Sequence, residues 1–484
     1  MKHAILILAH KDFYQLRHLI EYFVKDCYVY VHIDKKASIK ADELYSIVNM
    51  PQVRAVYRRY KVHWGGFSIL KTELFLLQQV IKDGDCEYVH LISGQDYPIK
   101  PLEVFLKYFK ENKGKEFIRT AIIPNPRWDN YTFSRFQYYY PYDYIEKNRT
   151  DTLSFMRKII RWEKNMGIKR KIPDHFKNLY GSTQWFSISK NAVHRLLEYT
   201  LKKPSFYRRT KWTFAPEEYY VATILSNLLP KQDIVPKDLR FIRWKNENGN
   251  CPANLGREHF CYLACDKSSF FARKLEGVHG FELISLIDKY LLHDNECVIN
   301  SEGGWDYNGF MNYSYYDSLA IAIRKLCYDL NVRSALDIGC GAGFYVAHLR
   351  QYGIPIAGYD INPHTPTLSS YLLPEGDELC GVGDITEEIE SDDTFDIVIC
   401  MDCLQSLPSE KRLKAIYNIA LVSSQYILIS SSIGHSNDEL NVFDDIINTF
   451  KQFHFYVNAI GSKMLNVYSR QTHQKFSLLE HFYY

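Results

Sequence analysis

The first hundred positions alternate between short apolar runs and longer amphipathic ones. "AILILAH" (4–10), "YVYVHID" (28–34), "VRAVYR" (53–58) and "YVHLISG" (88–94) are the short type. Between them, "DFYQLRHLIEYFV" (12–24), "KADELYSIV" (40–48) and "SILKTELFLLQQVIK" (68–82) repeat apolar residues every three or four positions. That alternation predicts strand–helix–strand units around a mostly parallel sheet. Asp34 and Asp96 each fall just past the last apolar residue of a predicted strand, the edge at which open α/β sheets bind ligands. From 120 to 180 the pattern turns irregular, aromatic and basic, as in "RFQYYYPYDY" (135–144). A second set of elements runs from "STQWFSISK" (182–190) to about Leu292. "HDNECVINSEGGWDYNG" (293–309) carries neither period and predicts a linker, after which "YDSLAIAIRKLCYDL" (316–330) and "ALDIGCGAGF" (335–344) open a new helix and strand. The pattern therefore predicts two α/β domains, 1–292 and 310–484.

Composition narrows the class. A chain of 484 residues exceeds one ordinary domain. Net charge is only +3, which gives no pull toward nucleic acid. No apolar run approaches the roughly 20 residues of a membrane span. The opening "MKHAILILAHKD" reads as a first strand and not as a signal peptide, because His10 and Lys11 stand where a small-residue cleavage site belongs. Eleven scattered cysteines without a secretion signal suggest reduced thiols in a cytoplasmic protein. Neither Cys261/Cys265 nor Cys400/Cys403 has a second pair at zinc-site spacing, so no metal is expected. The 38 tyrosines suit stacking on sugar faces, and equally suit a core.

In "LDIGCGAGF" the glycines 339, 341 and 343 permit a tight turn and close backbone approach to a ligand. Phe344 stands where a dinucleotide fingerprint needs a third glycine. Asp337, at the strand end, is awkward beside a pyrophosphate and suits an ammonium group. "IPIAGYD" then ends a strand at Asp360, and "GVGDI" places Asp384 after a third. Together these resemble the class I S-adenosylmethionine-dependent methyltransferases over about 310–484. The resemblance implies a Rossmann-like fold with Asp337, Gly339 and Gly341 near the methionine part, Asp360 near the ribose and Asp384 near the adenine. "MDCLQSLP" departs from a common family pattern. His435 is a candidate base for a hydroxyl acceptor, with a solvated loop histidine as its alternative.

An ordered set of stretches marks the first half: "YVHIDKK", "HWGGFSIL", "HLISGQDYPIK", "GSTQWFSISKNAV", "FAPEEYYVATIL", "LRFIRW" and "FFARKLE". It resembles the core-2/I-branching β-1,6-N-acetylglucosaminyltransferases, the group that includes the peptide O-xylosyltransferases. That resemblance implies a GT-A-like fold, a UDP-sugar donor, and inverting, metal-independent transfer. Glu218, in "APEEYYVATIL", maps onto the family's general base, with Glu217 where an Asp is usual. Arg273 and Lys274 map onto the diphosphate position, where a forked guanidinium and a point charge can replace a metal. Asp34 is expected at the uridine end and Asp96 near the donor sugar, while Trp64, Gly65 and Gly66 are expected to shape a donor-side loop, with a buried Trp64 as the alternative. Trp185 and Trp244 are candidates to stack on the acceptor, with core packing as the alternative.

The expectation is a bifunctional glycan-building enzyme of a bacterial cytoplasm. One domain transfers a sugar from a UDP donor to a glycan or lipid-linked glycan. The other methylates a sugar hydroxyl. A lipid-linked acceptor would bring the chain to the inner membrane face without insertion. The alternatives are a second domain that only binds S-adenosylmethionine or partners, or one that methylates an unrelated substrate.

Overall fold

The computed structural model describes residues 1–125, 133–145, 149–246, 251–292, 317–372, 379–387, 394–404, 407–430, 446, 448–452, 455–459 and 465–469. The predicted linker 293–309 and His435 lie outside them. The chain forms two compact units. The first comprises Met1–Leu255 and Ser268–Ile284, the second Gly256–Lys267 and Ser285–Tyr484.

The first unit is built on β1 (His3–Ala9), β2 (Cys27–Ile33), β3 (Val53–Tyr57), β4 (Tyr88–Ser93), β5 (Asp96–Pro98), β6 (Glu116–Ile118), β7 (Ala121–Ile123), β8 (Leu179–Gly181), β9 (Phe186–Ser189), β10 (Ile234–Val235), β11 (Arg240–Ile242) and β12 (Phe271–Arg273). Its main sheet has the order β10-β6-β9-β4-β1-β2-β3. β1 runs parallel to both β2 and β4. The sequence predicted a mostly parallel sheet; β9 departs from it, antiparallel to β4 and to β6. Strands covered on both faces read as continuous apolar runs, and β1 divides accordingly. Ala4 and Leu6 join one core with Leu70, Leu74 and Leu77 of the helix Phe67–Asp83. Ile5, Ile7 and Ala9 join the other with Leu16, Leu19 and Phe23 of the helix Phe13–Phe23. A small second sheet, β11-β12-β5, and the pair β7-β8 complete the unit.

One element was not legible in the sequence. Residues 120–180 read as irregular, yet Arg149–Asn165 is a helix of 17 residues. Its inward positions Thr152, Met156, Ile159, Ile160 and Glu163 do recur every three or four residues. Two of the five are polar, which hides the stripe.

The second unit is a sheet of β13 (Ala335–Ile338), β14 (Ile356–Asp360), β15 (Cys380–Val382), β16 (Phe395–Met401), β17 (Ser423–Ser430), β18 (Tyr456–Ala459) and β19 (Leu465–Ser469). The order is β15-β14-β13-β16-β17-β19-β18, parallel except for β19. β13 pairs with both β14 and β16, so the strand order reverses there, the point at which such sheets bind ligands.

Candidate active sites

At the carboxyl ends of β1 and β2, charged side chains gather. Asp34 is nearly buried; its Oδ1 accepts the amides of Lys36 (2.9 Å) and Val62 (3.2 Å), so it clasps two loops together. Asp96 is fully buried. It opens β5 and lies directly across from Arg273 on antiparallel β12. Its Oδ1 accepts from Arg273 at 2.7 Å, and its Oδ2 accepts from Ser93 N at 3.0 Å and Arg240 Nε at 3.5 Å. Asp96 was expected near the donor sugar. Its carboxylate is engaged by Arg273, Arg240 and Ser93, so it holds the guanidinium that was expected to meet the diphosphate.

Trp185 takes the second of its two expected places, the core. It is buried, and its ring carries the guanidinium of Arg273 at 4.4 Å and that of Arg240 at 5.1 Å from the centroid. Its ring is occupied by cations and core, so it does not present a stacking face to an acceptor. Trp244, just past β11, is 60% exposed.

Lys274 ion-pairs with Glu276 at 3.0 Å, and burial lowers its pKa. Burial would raise Glu276, but the bonds from Lys11 (2.5 Å) and Lys274 outweigh it and hold its carboxyl low. Burial, then Lys11, lowers His10. Lys11, Glu276, Arg240 and Arg135 are members of these clusters that the sequence did not single out. Nothing local marks them, because each gains its meaning from a partner far along the chain.

The acidic pair stands on the 3₁₀ turn Pro216–Glu218. Ala215 enters it at φ 46, and its amide donates to Gly65 O at 2.9 Å, so the "WGG" loop holds the turn. Gly65 leaves room for Phe214: a Cβ there would lie 2.6 Å from that ring. Its two carboxylates face different surroundings. Glu218 is partly exposed and accepts from Arg135 at 2.6 Å. Glu217 is 5% exposed, and its Oε2 has no hydrogen-bond partner. Burial, reinforced by Glu218 and Glu73, pushes its carboxyl well up. Glu73 is fully buried; burial lifts it to about 8, although Gln184 donates to it at 2.8 Å.

In the second unit, the turn after β13 takes positive φ at Gly339 (71°), Gly341 (57°) and Gly343 (81°). A side chain at 339 would be strained and would meet Cys403 Sγ at 3.0 Å. Asp337 is buried, and its Oδ2 has no partner. Burial, with Cys380, Asp360 and Cys403 adding to it, pushes its carboxyl well above the usual range. A buried orphan carboxylate oxygen is what an ammonium group would satisfy, so the site fits the cofactor's charge. Asp360 holds the loop: it accepts Gly341 N and Asn362 N, each at 2.9 Å. Asp384, half-buried, accepts Thr386 N at 2.8 Å.

Known proteins match both halves. The family model for the Core-2/I-branching enzyme matches residues 4–266, and that for a methyltransferase domain matches 336–423. Xylosyltransferase sqv-6 of Caenorhabditis briggsae is 24% identical over 298 residues, 55% of this chain and 34% of that protein. Human xylosyltransferase 1 is 23% identical over 288 residues, 55% of this chain and 28% of its own length. The chain thus spans about a third of the curated relatives it matches. A solved magnesium protoporphyrin IX methyltransferase from Synechocystis PCC 6803 with bound SAM is 20% identical, covering 32% of this chain and 77% of that one at a TM-score of 0.27. The chain belongs to the Core-2/I-branching enzyme family, and a methyltransferase domain follows the family domain in the same polypeptide.

Proposed function

We propose that the first unit transfers a sugar from a UDP-sugar to a glycan hydroxyl with inversion and without a metal ion, and that the second methylates a sugar hydroxyl. The observation that carries the first part is the division of labour around the sheet. Arg273, held by Asp96 and Trp185, and Lys274 supply fixed positive charge suited to a departing diphosphate. Glu218 is the solvent-reachable member of its acid pair, oriented by Arg135, and takes the proton of the acceptor hydroxyl. Asp34 supports the uridine end by joining the two loops it clasps.

S-adenosylmethionine, when bound, supplies an electrophilic methyl group. Asp337 would hold its ammonium, Gly339 and Gly341 would let the backbone approach, and Asp360 and Asp384 would take the ribose and adenine ends. Seven of the ten cysteines among the described residues are buried and all ten are free thiols, which supports a reducing compartment. No described helix is long and apolar enough to cross a membrane.

A nucleotide-sugar panel scored by UDP release, with and without EDTA, tests the transferase reading. Abolition by EDTA with rescue by manganese would remove the metal-independent part. Titration calorimetry with S-adenosylmethionine tests the other half. Asp337→Asn should weaken binding by at least ~10-fold, the order expected when a charge-assisted hydrogen bond is lost. No heat of binding to the intact chain would sink the methyltransferase reading.

A further inference from the structure

The helix Arg149–Asn165 has a second face that carries none of the residues proposed for either reaction. Its inward side is committed: Met156 packs with Tyr140 and Tyr142, and Glu163 turns inward to accept Tyr139 N at 3.1 Å. On the outer side Phe155 and Trp162, seven positions apart, share one stripe, and Met166 follows four positions on in the turn just past the helix end. They are 40%, 58% and 63% exposed. Scattered exposed apolar residues are ordinary, but an aligned row of an aromatic, an indole and a thioether is not.

Cations lie to one side of that row. Lys158 and Arg161 are exposed next to it on the side away from the core, Arg157 and Lys164 are exposed farther round the same helix, and Lys169 and Lys171 are exposed just beyond it. Opposing charge is sparse: Asp151 in the first turn and Asp174 past the last lysine are exposed, while Glu163 is buried. A polyanion such as RNA would be served by the cations and would leave the apolar row in water. An anionic lipid surface serves both. Indole, phenyl and thioether groups enter the headgroup boundary, and the long basic side chains reach the lipid phosphates.

We infer that the Phe155–Trp162–Met166 face of this helix is a docking surface for anionic lipid membranes. The inference goes beyond the reading of either active site and does not depend on it.

Vesicle co-sedimentation of the full chain tests it, with phosphatidylcholine alone or mixed with phosphatidylglycerol. The chain should pellet with the mixed vesicles only, and less so as salt rises. Combined Arg157→Glu, Lys158→Glu and Arg161→Glu should weaken that partition by at least ~10²-fold, since each cation near an anionic surface counts separately. These positions are exposed, so circular dichroism and melting should be unchanged, and S-adenosylmethionine binding serves as an unaffected control. Brominated lipid should quench tryptophan fluorescence in the parent, and Trp162→Phe should lose part of that quenching while still pelleting. Failure to pellet with anionic vesicles overturns the proposal, as does a charge-reversed variant that binds like the parent. Retention on RNA without vesicle binding overturns it too.

Discussion

Neighbouring carboxylates can behave as different chemical groups when their burial differs. Glu217 and Glu218 are adjacent, yet one is sealed beside Glu73 and the other meets Arg135 at the surface. Glu218→Gln should therefore cut sugar transfer by at least ~10²-fold, within the range of general-base loss, with UDP-sugar affinity kept. Glu217→Gln should cost less, and the reverse order in steady-state rates would move the base to Glu217. Glu73 yields a stability prediction. Its pKa rises from 4.5 to about 8 on folding, so between those values the folded chain binds the extra proton. Stability from this group is present in full below about pH 4.5 and is lost as pH rises through 8. Glu73→Gln cannot ionise, so its melting temperature should fall less between pH 5 and 8 than that of the parent. A difference on the order of 10 °C is the upper bound, since each pH unit between the two values is worth about 1.4 kcal/mol and roughly 1 kcal/mol moves a domain of this size by about 2–4 °C. Parallel melting curves across that range would refute it. The acid pair itself was readable in "APEEYY", but the unequal burial was not, because Glu73 lies on a distant helix.

Among elements, β12 and β5 matter most for the proposed transferase site. Their antiparallel register sets Arg273 opposite Asp96, and Arg240 on β11 reaches the same carboxylate. Asp96→Asn leaves two guanidinium groups short of their counter-charge in a buried place. Breaking a buried ion pair from one side costs about 3–5 kcal/mol, so chemical denaturation should show a loss of that order. UDP binding should weaken as well, because Arg273 is no longer held. Full stability with weakened UDP binding would instead make Asp96 a ligand contact, as the sequence had suggested. Trp185 follows the same logic: its neighbour β9 buries it against arginines, whereas Trp244 lies beyond a strand end and stays in solvent.

For the whole molecule, the chain leaves its first unit, contributes Gly256–Lys267 to the second, returns for Ser268–Ile284, and leaves again. Within the second unit Phe260 is fully buried against Tyr290 and Tyr371, and Tyr262 meets Phe344 edge-on at 5.2 Å. A cut near Asn300 strips these rings from the later part. The fragment 300–484 should lose at least about 3 kcal/mol, the order for deleting one buried aromatic side chain. It should melt well below a fragment 256–484 and bind S-adenosylmethionine more weakly. Equal melting of the two fragments would show that the early segment is dispensable.

By itself the sequence determined the order and kind of most elements, the helix Arg149–Asn165 excepted, together with the glycine turn and the acids at strand ends. These depend on period and on the chemistry of adjacent residues, which are local properties. The tertiary structure alone decided that Asp96 serves Arg273, that Arg135 meets Glu218, that Trp185 is occupied and that 256–267 joins the second unit. The two ion pairs join residues 177 and 83 positions apart. No local pattern encodes such a meeting, because it exists only once the sheet has set its register.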